Sequence, residues 1–227
     1  VLLRHANQAM YRAKQRGRDT FHLFDPNHDR LLQVRHEQRQ RFIDALTHNE
    51  LCLYYQPQVD MRSGKVVGLE ALIRWQHPED GLLAPGQFLP IIDTTPLEVD
   101  LGEWVIERAL RQLSEWQVQG IALPINVNIS PTHLLVSDFS QRLGELLARY
   151  PDVPPVLLKL EVLESAAMHD IQAALQNMAR CQSLGVSFAI DDFGTGFSSL
   201  THLRQLPVSL IKIDQSFVRD MLTDQDD

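Results

Sequence analysis

Cysteine is scarce: 227 residues contain only Cys52 and Cys181, far apart and each in an apolar setting. That excludes a disulfide framework and fits buried thiols in a reducing compartment. No apolar run approaches the length of a membrane span, and the opening "VLLRHANQAMYRAK" lacks signal-peptide architecture, so a cytoplasmic chain is expected, whether or not a longer parent is membrane-tethered. Positive charge is in deficit, with 21 Lys and Arg against 29 Asp and Glu, a formal net charge of -8. Such a field repels polyphosphate, which argues against a nucleic-acid polymer as partner and makes metal ions the natural companions of any phosphorylated ligand. The nine histidines show no metal-ligand spacing. No glycine-rich dinucleotide fingerprint follows any strand.

What is present is enough apolar material, 44% of residues, for one large α/β domain and a small appendage. Residues 5–16 read as a short basic helix stopped by Gly17, followed by a brief strand "TFHLF". A polar helical segment follows the Asp25-Pro26 turn, giving a predicted organisation of an N-terminal remnant (1–27), a linker helix (28–48) and a main domain (49–227). From residue 51 short apolar runs alternate with helical ones, the pattern of a mainly parallel sheet under helices. Six strands are predicted, at 51–59, 65–75, 123–130, 155–164, 185–191 and 209–214. Between them lie three apolar helical stripes: Leu101, Val105, Ala109, Leu113 and Trp116; Phe139, Leu143, Leu146 and Tyr150; and Ile171, Leu175 and Met178. Only the first two strands are joined by a hairpin-length turn and should pair antiparallel. The predicted fold is a (β/α)8 TIM-like barrel with one antiparallel strand, ending after about six strands.

In such barrels reacting groups collect at the carboxyl ends of the strands. There Glu70 breaks "VVGLEAL", Asn128 ends "INVN", Glu161 interrupts "LLKLEVL", Asp191 and Asp192 end "FAIDD", and Lys212 lies within "LIKID". Taken singly, each has an ordinary explanation: a solvated acid, a helix cap at Asn128, an outward lysine on an edge strand. Taken together, they supply hard oxygen ligands suited to magnesium or manganese. Adjacent aspartates can serve two cations, the arrangement used for in-line phosphodiester hydrolysis, with Lys212 placed to orient water or neutralise developing charge. Gly194 and Gly196 allow the tight turn after the acids.

The runs "YYQPQVD", "GLEALIRWQHPEDGLLAPGQFLP", "NVNIS", "LKLEVLES", "AIDDFGTGFSSL" and "LPVSLIKIDQSFV" resemble the EAL-domain family of cyclic di-GMP phosphodiesterases in order and spacing, from residue 51 to about 220. "ANQAMYRAKQRGRDTFHLF" resembles the end of a GGDEF domain of the diguanylate cyclase type. The resemblance implies metal ligands at Glu70, Asn128, Glu161 and Asp191, Asp192 toward a second metal, and Lys212 as the catalytic lysine. It implies dinucleotide contacts from Gln56 and Arg74, Asp214 beside the lysine, and Glu164 propping the "DDFGTG" loop. The implied substrate is cyclic di-GMP, opened to linear pGpG, in a protein with upstream GGDEF and sensory domains and a homodimeric assembly.

Three departures qualify that implication. Leu163 stands where the family usually has Thr. The family's "AEETG" loop appears as "IIDTTPLE", with Asp93 retained and Pro96 in place of glycine. The sequence also stops before the family's last two strands, so this chain by itself is expected to turn over poorly or not at all. The alternative function is a catalytically inactive cyclic di-GMP receptor.

Overall fold

In a computed structural model the structure describes residues 10, 14, 26–164, 170–194 and 206–219. The chain divides into two compact units, Val1–Asp44 and Ala45–Asp227. Of the first unit, Met10 and Lys14 are helical, and helix α1 (Pro26–Thr47) begins within it. The predicted strand "TFHLF" and most of the predicted basic helix lie outside the described residues. Residues 30–38 of α1 are exposed, as the polar pattern of that segment requires.

The second unit is a mixed α/β barrel sheet under helices. Strand β1 (Leu51–Val59) returns through a tight turn into β2 (Val66–His77), and the two pair antiparallel, Gln56 opposite Glu70 and Gln58 opposite Gly68. The turn is set by Asp60, which accepts from the Ser63 amide at 2.7 Å, with Gly64 at φ 68°. A three-residue strand β3 (Gly81–Leu83) folds back on the end of β2. Helices α2 (Pro85–Ile92) and α3 (Leu97–Val118) lead to β4 (Ile125–Ile129), and α4 (Pro131–Leu134) and α5 (Phe139–Ala148) lead to β5 (Leu158–Leu163). Then come α6 (Ile171–Ser183), β6 (Ser187–Phe193), β7 (Leu210–Ile213) and α7 (Ser216–Arg219). The sheet order is β1-β2-β4-β5-β6-β7, with every pairing after β2-β4 parallel as well as that one. Among the described residues β1 and β7 form its two edges, and the sheet does not close.

Parallel strands buried under helices read as alternating apolar layers. Ile125 and Val127 of β4, Leu158, Leu160 and Val162 of β5, and Phe188 and Ile190 of β6 are all fully buried on the helix-covered face. Leu101, Val105, Ala109 and Leu113 meet them from α3 as predicted, while Trp116 is only half-buried. In α6 the buried face is Ala174, Met178 and Cys181, turned from the predicted stripe, so Leu175 is half-exposed. Helix starts follow capping chemistry: Ser130 Oγ accepts from His133 N at 3.2 Å, and Asp170 Oδ1 from Ala173 N at 3.1 Å. The cap before α4 is thus Ser130, not Asn128.

Candidate metal centre

Successive strand residues face opposite sides of a sheet, so the burial of Ala71 and Trp75 under helices turns Gly68, Glu70 and Arg74 to the other side. The same alternation places Asn126 and Asn128 of β4, Glu161 of β5, Asp191 of β6 and Lys212 of β7 on that inner face. Parallel register then aligns Glu70 with Asn126, and Asn128 with Glu161.

The Lys212 ammonium donates to Glu70 Oε2 at 2.8 Å, Glu161 Oε2 at 2.7 Å and Asp191 Oδ2 at 3.0 Å. One oxygen from each acid lies within 4.8 Å of the others. The Glu161 side chain is fully buried, while those of Glu70 and Asp191 are each 17% exposed. Asn128 Nδ2 donates to Glu70 Oε1 at 3.1 Å, joining the amide to the cluster. Burial pushes the Glu161 carboxyl above its usual range, opposed by hydrogen bonds from Lys212 and Asn126. Burial alone would lower the Lys212 pKa, but its bonds to Glu161 and Glu70 outweigh this and raise it, so the ammonium is charged at neutral pH.

The two aspartates are separated by a break in strand register between Ile190 and Phe193. Asp192 takes φ 53°, a left-handed conformation unusual for a residue other than glycine, and its amide donates to Asp191 Oδ1 at 3.0 Å. A bulge of this kind re-aims a side chain next to a site. Asp191 joins the cluster, whereas Asp192 lies within the electrostatic reach of Asp214. Its pKa is raised by burial and by the negative charges of Asp191 and Asp214. Asp214 also accepts from the Ser216 hydroxyl and, at 2.8 Å, from the Ser216 amide. Glu164 is 5% exposed, and its Oε2 accepts from Gly194 N at 2.9 Å, tying the end of β5 to the turn after the aspartates.

Gln56, directly opposite Glu70 across the antiparallel pair, is exposed. Arg74 lies four residues beyond Glu70 on the same face, half-buried, its Nη1 donating to Ile73 O at 2.8 Å and its guanidinium 5.7 Å from the Tyr54 ring. Neither makes a hydrogen bond or ion pair with the carboxylate cluster among the described residues. Sequence reasoning missed one participant: Asn126, 1% exposed, donates from Nδ2 to Glu161 Oε1 at 2.6 Å. The signal was its two-residue spacing from Asn128 within "INVNI".

Three carboxylates around one ammonium leave two negative charges unbalanced, with the lysine standing where a cation is wanted. An all-oxygen donor set with that charge fits a hard divalent ion. Fold and cluster together define a TIM-like β/α sheet, open among the described residues, whose inner face carries an acidic cluster that could bind a metal ion. The chain belongs to the EAL domain family, whose profile matches residues 39–227, and EAL domains depend on metal ions in general. It is 41% identical over 231 residues to the bifunctional diguanylate cyclase/cyclic di-GMP phosphodiesterase MucR of Pseudomonas aeruginosa, matching 100% of this chain and 33% of that protein. It is 40% identical over 169 residues to the cyclic di-GMP phosphodiesterase PA2567 of the same organism, over 74% of this chain and 29% of that one. The solved PaMucR phosphodiesterase in complex with c-di-GMP superimposes with a TM-score of 0.79 at 41% identity, covering 84% of this chain and 77% of that one. The chain thus spans about a third of the length of these curated relatives.

Proposed function

We propose that this chain carries the phosphodiesterase site of a second-messenger enzyme that hydrolyses cyclic di-GMP to linear pGpG. The observation that carries the reading is the convergence of Glu70, Glu161 and Asp191, from three strands of the sheet, around the Lys212 ammonium. The relatives named as cyclic di-GMP phosphodiesterases and the c-di-GMP complex of a structural neighbour supply the substrate class.

Glu70, Asn128, Glu161 and Asp191 are the residues assigned to hold the first ion, magnesium or manganese. Asp192, beside Asp214, is assigned to a second. Bound ions supply charge neutralisation at the phosphodiester and a more acidic water. Lys212, already in reach of all three carboxylates, is assigned to orient the attacking water by donating to its oxygen and to offset charge on the phosphate oxygens. Gln56 and Arg74 face the open side of the cluster and are assigned to the dinucleotide, the guanidinium fork suiting a phosphate. Glu164 fixes the turn through Gly194 and so fixes Asp191 and Asp192.

Residues 1–27 are assigned to the end of a diguanylate cyclase-type domain and residues 28–48 to the linker, an order supported by the full-length match of this chain to a bifunctional relative. Upstream sensory input and homodimerisation belong to the same proposal.

The test is incubation of the full-length protein with cyclic di-GMP and magnesium, following linear product, alongside binding measured in calcium. Product that disappears in Glu70→Ala, with dinucleotide affinity reduced less than turnover, upholds the reading. Tight binding without product selects a receptor instead, the reading favoured by Leu163, 39% exposed and paired with Asp191 in register, where a hydroxyl would otherwise face the site.

A further inference from the structure

Beneath the carboxylate cluster lies a line of amides with no part in the reading above. Asn126 Nδ2 donates both to Glu161 Oε1 at 2.6 Å and to Gln58 Oε1 at 3.4 Å, so its two amide hydrogens are committed in opposite directions. Gln58 is on β1 and Asn126 on β4, with β2 between them in the sheet. Gln58 can cross because the residue it passes is Gly68, its register partner. A Cβ built on Gly68 would lie 3.2 Å from Gln58 Oε1, tighter than an ordinary contact. Gly68 has no positive φ and makes no turn, so close approach of another side chain is the physical use of a glycine inside this strand. The result is a bridge from β1 over β2 to β4 and on to β5.

The division of the Glu161 carboxylate gives the bridge its consequence. Oε1 is bound by Asn126 and Oε2 by Lys212. We propose that Gln58, Gly68 and Asn126 form a positioning relay that commits Glu161 Oε1 to the barrel interior and leaves Oε2 as the single donor aimed at the cation. The inference rests on the metal-centre reading above and adds the residues that orient its most buried ligand. Without the relay Glu161 can rotate, and its second oxygen, desolvated and without a donor, competes for the cation or for Lys212. Partners that orient a metal ligand typically change metal affinity about 10- to 100-fold when removed.

The experiment titrates the full-length protein with Mn2+ and reads the paramagnetic resonance signal of the free ion, which needs no turnover, with a melting temperature for each variant. Wild type and Glu161→Gln examine the centre itself: loss of binding in the variant upholds it, and equal binding removes Glu161 from the centre and the relay with it. With the centre upheld, Asn126→Leu weakens Mn2+ binding about tenfold or more and Gln58→Leu weakens it by a smaller factor. In both, the Mn2+ needed for half-maximal hydrolysis rises while KM for cyclic di-GMP stays at the wild-type value. Should Asn126→Leu fail to fold, Gln58→Leu, at the less buried end of the relay, decides alone. Mn2+ affinity within twofold of wild type in the folded variants overturns the relay and leaves the centre standing. A lowered melting temperature with unchanged Mn2+ affinity shows packing only, and overturns it as well.

Discussion

Lys212 Nζ and Glu161 Oε2 are 2.7 Å apart although 51 residues separate them in the chain, and the glutamate side chain is fully buried while the lysine is 23% exposed. The contact joins β5 to β7 across β6. A buried carboxylate stripped of its cation is costly, because little water can reach it to replace the lost charge.

Lys212→Met should therefore do two separable things. In metal-free protein it should destabilise the fold by about 3 kcal/mol, since Glu70, Glu161 and Asp191 then repel one another uncompensated. Added Mg2+ or Mn2+ should recover most of that loss in the variant and stabilise wild type less. Hydrolysis should remain about a hundredfold or more below wild type even when the metal is saturating. Denaturation curves with and without divalent ion, beside product assays, check both parts. Equal metal-induced stabilisation of the two proteins would show that the lysine does not stand in for the ion.

Arg74 separates binding from chemistry. It shares a strand face with Glu70 but makes no hydrogen bond or ion pair with the cluster among the described residues, its nearest partners being Ile73 O and the Tyr54 ring. Arg74→Ala should raise KM for cyclic di-GMP about tenfold or more, one charged hydrogen-bond contact contributing roughly 1.5–3 kcal/mol, with kcat changed far less. Arg74→Lys should recover only part, because an ammonium lacks the fork. Unchanged KM in Arg74→Ala would remove it from the dinucleotide site.

Much of this arrangement can be read from the chain because the strands are short apolar runs, so an acid inside one is conspicuous. Glu70 and Glu161 stand out for that reason, and the alternation of the sheet then fixes which side they face. Element β3 is three residues long, too short to leave a period. Helix α2 carries Pro85 at its first turn and Pro90 in its interior, a composition that reads as loop until the first is recognised as an N-terminal residue that needs no donor. Asn126 and Gly68 are different omissions. Gly68 breaks its apolar run two residues before Glu70, Asn126 two before Asn128, and both were legible as inward-facing by that spacing alone. Their partnership was not, since it depends on register between β1, β2 and β4 that only the folded chain supplies.

Gly194 holds the turn that follows the aspartates. It has φ 101°, its amide donates to Glu164 at 2.9 Å, and a Cβ there would lie 2.5 Å from Phe217 Cε2. Gly194→Ala thus adds left-handed strain of about 1–2 kcal/mol to a clash that must move the phenyl ring. The variant should unfold at lower urea and lose turnover, while Phe217→Ala combined with it should relieve the clash and recover part of both. No recovery in the double variant would mean that the backbone strain, and not the ring, sets the cost.

His133 predicts a pH dependence that has nothing to do with the metal centre. It is 1% exposed on α4, stacked edge-on against Phe139 at 4.8 Å, and a Cβ on Gly102 of α3 would fall 2.1 Å from its Nδ1. Nδ1 has no hydrogen-bond partner among the described residues, and burial depresses the imidazole to a pKa of about 4, with Glu103 opposing the shift and Arg142 adding to it. The folded pKa lies below the value of about 6.5 expected in the unfolded chain, so the unfolded state binds the proton first. Stability is then fully present above pH 6.5 and declines as pH falls toward 4, by about 3 kcal/mol at the limit and about 2 kcal/mol at pH 5. Carboxylates titrate in the lower part of the same window, so the informative quantity is the difference between wild type and His133→Leu. Urea unfolding at pH 7 and pH 5 should show the variant losing about 2 kcal/mol less than wild type between the two. Parallel losses would place the proton uptake elsewhere and mean that the imidazole gains a partner when it charges.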